Sequence, residues 1–385
     1  MNRYAVLSVS EQSIPNILFM KKFESEYDFL LIISSKEMEE TFKSDILLNF
    51  TSKEKNTQKI IVDANDFNDV YLKLSQCSFN MYDHFRVNLT GGTKMGSLAV
   101  YEYFSHFANA RQYYIPFGRN EYYMINPGNS SQYSELDYRL SVNEYLMAYD
   151  TRITNESTLV ADLQCADKMY DVFQQVEFKE NIQLLLELRK KFIHDKINIE
   201  HSDLRSFLTK KKSFIKLFNN YQKDAYEFLE SLFSLISNIY PLFDQNLSYK
   251  WVQYLTGGWF EEYIYHHIQC LNLDDVKTGF WIENSKVTNE IDVAFTKDNR
   301  LYFIECKTSL KTSEGHIANE TLYKIDSLSN LMGLSKIKVL FTLDSETILK
   351  RSVADKIKQM KVKTLTGDAL NPENIENNMR TIFNI

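Results

Sequence analysis

The sequence has few cysteines and no long apolar run. Its four cysteines are widely spaced among 385 residues and form no C-x-x-C pair. This spacing argues against a zinc site and against a disulfide framework, and it is typical of a reducing cytoplasm. No apolar run approaches the roughly 20 residues that cross a bilayer, and the N-terminus lacks the pattern of a signal peptide. We therefore expect a cytoplasmic protein without a membrane partner.

An excess of basic residues is also missing, because the formal net charge is −7. A nucleic-acid-binding protein with this charge must concentrate its basic residues locally. The apolar fraction of 44% is ample for folded cores. The length predicts about two to three domains. We place them at residues 1–141, 142–250 and 251–385, and the best linker candidate is Asn126–Ser131, which is rich in turn-forming residues.

Strands and helices alternate in the first domain. This alternation predicts an α/β fold with a mostly parallel, doubly wound sheet, which binds ligands at the carboxyl ends of its strands. The predicted strands are Tyr4–Val9, Phe29–Ile33, Ile60–Val62 and Phe85–Leu89, and the predicted helices are Ile14–Phe23 and Met95–Phe107.

The loop Asn88–Lys94 follows one of these strands and precedes a helix. Gly91 and Gly92 let the backbone approach a ligand closely, and the N-terminus of the helix favours an anion. Lys94 and two threonine hydroxyls add hydrogen-bond donors. A Gly-Gly pair in such a place is more often a simple turn, and the Walker spacing is absent. The residues alone therefore leave open whether this loop binds a ligand.

Near the end of the chain, two apolar runs flank the polar turn Lys297–Arg300, which predicts a β-hairpin. Pairing counted outward from this turn places Asp292 opposite Glu305, with Lys307 on the same face. Two carboxylates this close repel each other unless a cation lies between them, and a hard divalent metal is the natural occupant. A surface hairpin with solvated charges would show the same Glu-x-Lys pattern, so both interpretations stay open here.

The pattern Asp292…Glu305-x-Lys307 resembles the signature of the PD-(D/E)XK nuclease superfamily, although Ile291 replaces the usual proline. The resemblance implies that Asp292 and Glu305 bind Mn²⁺ or Mg²⁺. It also implies that Lys307 positions the attacking water or stabilises charge on the phosphate. The order of helix, hairpin, strand, helix and strand agrees with the αβββαβ core of these restriction-endonuclease-like domains. After the hairpin the predicted helices are Thr321–Leu331 and Ser345–Met360, and the predicted strands are Lys338–Thr342 and Val362–Leu365.

Three further glutamates are candidates for this site. The helix that begins near Trp259 carries Glu261 and Glu262 at the two edges of its apolar face. In nucleases of the superfamily a glutamate on this helix often completes the site, and the G-x-F-E form favours Glu261, with Glu262 as the alternative. Glu290 shares the strand face of Asp292 and is a candidate ligand or base. Solvated glutamates would give the same pattern.

Residues 1–141 resemble the CARF sensor domains of type III CRISPR ancillary proteins. Three segments carry this resemblance, namely Ser10–Asn16, Asn88–Met95 and Tyr114–Gly118. It implies a Rossmann-like domain in a homodimer that binds a cyclic oligoadenylate, with cyclic tetra-adenylate as the expected activator. The implied ligand contacts are Ser10, Gln12, Thr90, Gly91, Gly92, Thr93 and Lys94.

Together the two resemblances predict a metal-dependent endonuclease of antiviral defence that cyclic tetra-adenylate activates. The implied substrates are single-stranded DNA or RNA, and duplex DNA that is nicked, with little sequence specificity because no base-reading element is evident. One alternative is a ligand-responsive DNA-binding regulator whose middle part is winged-helix-like. Another is a ring nuclease that degrades the messenger at the sensor loops.

The middle part, residues 142–250, reads as a helical connector. Its predicted helices are Leu159–Tyr170, Asn181–Phe192 and Tyr221–Ile239. The basic run within Leu204–Asn220 is either a contact for phosphate groups or a solvated face.

Overall fold

The computed structural model describes thirteen stretches of the chain. They are residues 1–116, 118–125, 133–175, 182, 184–187, 189–190, 198–200, 224–240, 246–284, 287–310, 316–334, 336–345 and 351–385. Within them no helix combines the length and apolar character that a membrane crossing requires. The linker candidate Asn126–Ser131, the basic run in Leu204–Asn220 and much of the predicted helix Asn181–Phe192 lie outside the described residues.

The N-terminal part of the chain forms a seven-stranded sheet with the strand order β3-β2-β1-β4-β5-β6-β7. The first five strands in this order are parallel, and β6 and β7 complete the edge in antiparallel pairing. The predicted parallel sheet is therefore confirmed. The strands are β1 (Arg3–Ser8), β2 (Phe29–Ser35), β3 (Thr57–Val62), β4 (His84–Asn88), β5 (Ala110–Tyr114), β6 (Glu121–Met124) and β7 (Tyr133–Glu135).

Helices cover both faces of this sheet. Leu7 of β1 packs into the same core as Phe19, whereas its neighbour Val6 packs on the other face with Val100. Strands that are buried on both faces need continuous apolar runs, which is why these segments lack polar alternation. The helices are α1 (Ile14–Lys22), α2 (Lys36–Glu40), α3 (Lys43–Leu48), α4 (Phe67–Ser75) and α5 (Lys94–Ser105).

A second, six-stranded sheet has the order β15-β14-β13-β12-β11-β8. Strands β11, β12 and β13 are antiparallel, whereas β13, β14 and β15 run parallel. The strands are β8 (Arg152–Glu156), β11 (Asp275–Glu283), β12 (Thr288–Lys297), β13 (Arg300–Lys307), β14 (Lys336–Thr342) and β15 (Lys363–Thr366), while β9 (Asn198–Glu200) and β10 (Asn246–Ser248) form a separate pair.

Two of these strands differ from the sequence-based expectation. The segment Arg152–Glu156 was assigned to the helical connector, but it pairs with β11 at the edge of the second sheet. The strand Asp275–Glu283 was not predicted, because its first half alternates charged and small residues and carries Gly279 instead of an apolar run. It supplies the first of the three antiparallel strands of the αβββαβ core.

The second sheet is flanked by helices from the connector and from the C-terminal part. They are α6 (Val142–Met147), α7 (Leu163–Gln174), α8 (Asp224–Ile239), α9 (Tyr249–Gln253), α10 (Trp259–Gln269), α11 (His316–Asn330), α12 (Arg351–Gln359) and α13 (Ile375–Phe383). A π-helical turn, Tyr254–Gly258, joins α9 to α10 across a kink at Gly257.

The two sheets share one continuous hydrophobic core. Leu7 and Ile17 of the first domain, Tyr145 of α6, and Phe303 and Ile325 of the second domain all belong to a single buried cluster. Contacts of this kind make the two domains parts of one packed unit.

The turn of the β12–β13 hairpin docks against the first domain. Asn299 accepts a hydrogen bond from the Leu140 N–H (2.8 Å) and donates one to the Tyr138 carbonyl (3.0 Å). Because Asn299 is buried, both bonds fix the position of the hairpin relative to the segment that leaves the first sheet.

Candidate active site and ligand loops

The β12–β13 hairpin has the predicted register. Thr296 pairs with Leu301 and Val293 with Ile304, so the next position along places Asp292 opposite Glu305. The two turn residues Asp298 and Asn299 both have positive φ, at 50° and 58°, as a two-residue hairpin of type I′ requires.

Asp292 and Glu305 are buried carboxylates, with exposed fractions of 4% and 3%. The backbone N–H of Cys306 donates to Asp292 Oδ2 at 2.8 Å. Lys307 Nζ lies 2.6 Å from Glu305 Oε1 and 3.5 Å from Asp292 Oδ2. The three residues of the sequence motif therefore meet at one point.

A second lysine, which the sequence analysis did not identify, reaches the same carboxylates. Lys324 Nζ on α11 lies 2.7 Å from Glu305 Oε2 and 3.5 Å from Asp292 Oδ1. In the sequence Lys324 could have been noticed only by its position, because it lies on the buried face of an amphipathic helix, three residues after Thr321 and four before Leu328.

The structure separates the two adjacent glutamates of α10. Glu261 faces the charged cluster, where burial and the nearby Asp292 carboxylate raise its pKa well above the usual range. Glu262 points to the other side and accepts hydrogen bonds from the N–H groups of Val160 (2.7 Å) and Ala161 (2.9 Å). Burial nevertheless raises the pKa of Glu262 to about 7. Thus Glu261 joins the carboxylates and Glu262 fixes the segment that enters α7.

Glu290 is the fourth carboxylate of the cluster and lies at its more open side. Burial, followed by repulsion from Asp292, raises the pKa of Glu290. Burial and Asp292 also raise the pKa of Glu305. Burial lowers the pKa of the Lys324 ammonium, but the nearby Asp292 and Glu305 carboxylates outweigh this effect, so the pKa of Lys324 is raised. The cluster is thus four carboxylates that repel one another and two ammonium groups that partly compensate them.

The donor chemistry of this cluster fits a hard divalent cation, because carboxylate oxygens on two adjacent strands and a helix converge there. In the described part of the chain, however, no three His, Cys, Asp or Glu side chains are arranged to hold a metal ion in this conformation. In this conformation the Lys324 ammonium contacts both Asp292 Oδ1 and Glu305 Oε2.

A cleft of about 390 Å³ opens beside the carboxylates. Glu261 and Glu290 line it, and so do the basic residues Arg189 and Lys250. Arg189 Nη1 donates to Thr256 Oγ1 at 3.3 Å, which ties it to the π-helical turn before α10. The cleft thus offers positive charge next to the acidic cluster.

The second group of sequence candidates lies at the carboxyl ends of β1 and β4. A Cβ on Gly91 would lie 2.0 Å from the Ser8 carbonyl oxygen, so this close approach of the two loops requires glycine. Gly92 has φ +82°, which also favours glycine. Lys94, the first residue of α5, is exposed.

The two threonines of this loop are engaged within the first domain. Thr90 Oγ1 donates to Asn88 Oδ1 (2.7 Å) and accepts from the N–H of Ile115 (2.8 Å). Thr93 caps α5 by accepting a hydrogen bond from the N–H of Gly96 at 3.1 Å. Their hydroxyls therefore hold the loop in shape.

The β1 loop reaches towards the second domain. Ser10 Oγ donates to the Gln12 carbonyl at 3.2 Å. The Gln12 side-chain oxygen accepts hydrogen bonds from the hydroxyl of Tyr149 (2.9 Å) and from the N–H of Leu334 (3.1 Å). Gln12 therefore connects a candidate ligand loop with the segment that follows α11.

Family models match two separate segments of the chain. Residues 5–145 match the family described as the Card1 CARF domain, and residues 249–377 match the family described as the Card1-like endonuclease domain. Together these matches cover more than half of the chain. The fold and the comparisons define a nuclease that carries a CARF sensor domain. More narrowly, the chain combines a Card1-type CARF domain with a Card1-like endonuclease domain.

Two solved structures share the fold over nearly the whole length. Protein VC1899 from Vibrio cholerae is 16% identical, with a TM-score of 0.75 over 98% of this chain and 97% of that one. Can2 from Sulfobacillus thermosulfidooxidans, solved in complex with cyclic tetra-adenylate, is 18% identical, with a TM-score of 0.67 over 100% of both chains. No curated protein matches the sequence at a significant level.

Proposed function

We propose that this protein is a metal-dependent endonuclease of type III CRISPR antiviral defence, activated by cyclic tetra-adenylate. The observation that carries the proposal is the pair of buried carboxylates, Asp292 and Glu305, held with Lys307 on one hairpin of the Card1-like endonuclease domain. Solvated surface charges would not be buried in this way.

The acidic cluster supports a role in phosphodiester hydrolysis. Asp292, Glu305 and Glu261 are the side chains that would hold Mn²⁺ or Mg²⁺, which when bound supplies a water of lowered pKa and neutralises charge on the phosphate. Lys307 is fixed by Glu305 and by its own contact with the Cys306 carbonyl at 3.1 Å. It therefore provides a pre-positioned positive charge for the phosphate in the transition state.

Glu290 is proposed as the group that accepts a proton from the attacking water. It borders both the acidic cluster and the cleft, and its raised pKa brings it closer to the range that suits a general base. Arg189 and Lys250 in the cleft would contact phosphates next to the scissile one. Such contacts to the backbone carry no sequence information, which fits single-stranded DNA or RNA and nicked duplex DNA as substrates.

The ligand loops support activation by a cyclic oligoadenylate. The Gly91–Gly92 turn brings backbone N–H groups and Lys94 together at the start of α5, an arrangement that suits phosphate groups. The Can2 structure, with the same fold, holds cyclic tetra-adenylate. We propose that Ser10, Gln12, Thr90, Gly91, Gly92, Thr93 and Lys94 contact the same messenger here.

A homodimer is proposed because apolar side chains are exposed beside this loop. Met95 and Leu98 of α5 and Leu72 of α4 are exposed, Leu98 by 56%. A self-complementary contact between two copies would bury them and bring two copies of the ligand loop together.

Cleavage assays on supercoiled plasmid, single-stranded DNA and single-stranded RNA with Mn²⁺ test the proposal. We expect cleavage only with both metal and cyclic tetra-adenylate. Glu305→Gln and Lys307→Met should each reduce its rate by about 10²-fold or more. The matched control is Glu283→Gln, an exposed residue on β11 of the same sheet, which should leave the rate unchanged.

Wild-type rates in both variants would refute the catalytic assignment. Absence of cleavage under every combination, together with tight binding to specific duplex sites, would instead identify a regulator. Loss of cyclic tetra-adenylate in the presence of the Glu305→Gln protein would identify a ring nuclease.

A further inference from the structure

Lys324 occupies the place where a bridging cation would sit. Its ammonium lies 2.7 Å from Glu305 Oε2 and 3.5 Å from Asp292 Oδ1, so it is a positive charge between the two carboxylates. Oxygen ligands of Mg²⁺ lie at about 2.0–2.1 Å from the metal. A metal bound to both oxygen atoms and the ammonium in its present position exclude each other.

We propose that Lys324 is a built-in competitor of the divalent metal, and that movement of helix α11 under the control of the ligand loop removes it. This inference rests on the proposed function, because it concerns access of the metal to the proposed nuclease site. It assigns to Lys324 a gating role that the sequence motif does not contain.

The two lysines of the cluster differ in how firmly they are held. Lys307 lies on β13 next to Glu305, and its ammonium also contacts its neighbour's carbonyl, that of Cys306, at 3.1 Å. Lys324 belongs to a separate element, α11, and its long side chain extends from that helix to bring the ammonium to the two carboxylates. Displacement of Lys324 therefore needs only a shift of α11 or a rotamer change, whereas displacement of Lys307 also breaks its contact with the Cys306 carbonyl.

The charge balance of the cluster favours entry of a cation. If all groups are ionised, Glu261, Glu290, Asp292 and Glu305 carry four negative charges, and Lys307 and Lys324 carry two positive ones. The cluster keeps an excess of negative charge, which attracts a divalent cation. An ammonium that leaves when the metal enters can move to solvent, because Lys324 retains a 26% exposed side chain.

The segment that follows α11, Met332–Leu334, contacts Tyr145, Tyr149 and the ligand loop. The Met332 carbonyl accepts a hydrogen bond from the hydroxyl of Tyr145 (3.1 Å), and the Leu334 N–H donates to Gln12 Oε1 (3.1 Å). Gly333 has φ +65°, and a Cβ there would lie 2.0 Å from Cζ of Tyr149. The segment after α11 is thus held by the Tyr145 hydroxyl, by close packing on Tyr149 and by Gln12 of the ligand loop.

Gln12 links the two events. It is a candidate contact of the messenger, and its side-chain oxygen holds Tyr149 and Leu334 at the same time. Lys324 lies six residues before Asn330, the last residue of α11, which is about 9 Å along the helix axis. A ligand that draws Gln12 away would release the end of α11 whose middle presents Lys324 to the carboxylates.

The proposal requires positive coupling between messenger and metal. If cyclic tetra-adenylate raises the affinity for Mn²⁺ by some factor, Mn²⁺ must raise the affinity for cyclic tetra-adenylate by the same factor. Removal of the Lys324 charge should produce tight metal binding without the messenger and should reduce this coupling.

The test is Mn²⁺ binding by isothermal titration calorimetry and by electron paramagnetic resonance of free Mn²⁺, without nucleic acid. Lys324→Met should bind Mn²⁺ at least tenfold more tightly than wild type in the absence of cyclic tetra-adenylate. Lys338→Met is the matched control, because Lys338 forms an ion pair with Asp326 of the same helix (3.3 Å). It should bind Mn²⁺ as wild type does.

Lys324→Arg keeps the positive charge and should keep the weak binding of wild type. Equal or weaker Mn²⁺ binding by a folded Lys324→Met protein would overturn the proposal. If Lys324→Met does not fold, as judged by circular dichroism, wild type decides: no change in Mn²⁺ affinity on addition of saturating cyclic tetra-adenylate would overturn it.

Failure of the proposed function gives a different result. If Lys324→Met tightens Mn²⁺ binding but neither wild type nor any variant cuts nucleic acid, the gating role of Lys324 is supported and the nuclease assignment is refuted. If the protein cleaves nucleic acid but Lys324→Met does not change its Mn²⁺ affinity, the nuclease assignment is supported and the gating role of Lys324 is refuted.

Discussion

Glu262 predicts how stability changes with pH. Its carboxyl is buried between α10 and the segment Val160–Ala161, and its pKa is raised to about 7 from an ordinary 4.5. A carboxyl with a raised pKa in the folded state binds its proton more tightly than in the unfolded chain. Its stabilising contribution is present below pH 4.5 and is lost as the pH rises through 7.

The shift of about 2.5 pH units corresponds to roughly 3 kcal/mol, at about 1.4 kcal/mol per unit. Glu262→Gln removes the titrating group. Because a glutamine amide has only one acceptor oxygen, the variant also loses one of the two accepted hydrogen bonds at every pH, at a cost of about 1–3 kcal/mol. We therefore expect the variant to be less stable than wild type at pH 5. Between pH 5 and pH 8 the difference in free energy of unfolding should move by about 2.5 kcal/mol in favour of the variant, because part of the full effect is already lost at pH 5.

Urea unfolding at several pH values measures this difference. The other carboxyls with raised pKa values, Glu261, Glu290 and Glu305, cancel because both proteins contain them. Glu283→Gln makes the same chemical change at an exposed position of β11 and is the control variant measured beside it. A constant difference between wild type and Glu262→Gln from pH 5 to pH 8 would refute the reasoning.

Two further substitutions test the loops by urea unfolding and ligand titration. Gly91→Ala places a Cβ 2.0 Å from the Ser8 carbonyl oxygen, so we expect a loss of about 1–3 kcal/mol and weaker binding of cyclic tetra-adenylate. Gly257→Ala, with no atom within 4 Å of the added Cβ, is its control, and equal effects of the two would contradict the steric argument. Asn299→Ala leaves the buried N–H of Leu140 without its acceptor and should cost about 1–3 kcal/mol, whereas an unchanged urea midpoint would show that the hairpin turn does not hold the domains together.

The hairpin could be predicted from sequence because its signals are local. Apolar runs on both sides of Lys297–Arg300 and the two-residue turn set the register, and the register alone brings Asp292 to Glu305. The parallel first sheet follows in the same way from alternating strands and helices.

Helical periodicity alone could not decide between Glu261 and Glu262, although the resemblance to the nuclease superfamily favoured Glu261. Adjacent helical residues point about 100° apart, and both lie at the edges of one broad apolar face. The choice depends on which edge meets Val160 and Ala161, about 100 residues earlier in the chain. No local pattern contains that contact.

Lys324 was missed for the same reason. Its helix packs against the second sheet so that its ammonium meets Asp292 and Glu305, but within α11 it is only a lysine on the inner face. The strand Arg152–Glu156 was missed because its partner, β11, lies more than 100 residues later, and a five-residue edge strand has little pattern of its own.

The core shared by both sheets has a consequence for how such proteins can be recombined. Ile17 of the first domain and Phe303 of the second are buried in one cluster, and Tyr145 lies between them. A sensor taken from a relative would bring a different surface to this cluster and leave cavities or overlaps there. The sensor domain therefore cannot be replaced by itself. A chimera with a sensor domain from a relative also has to exchange the facing side chains of α6 and α11.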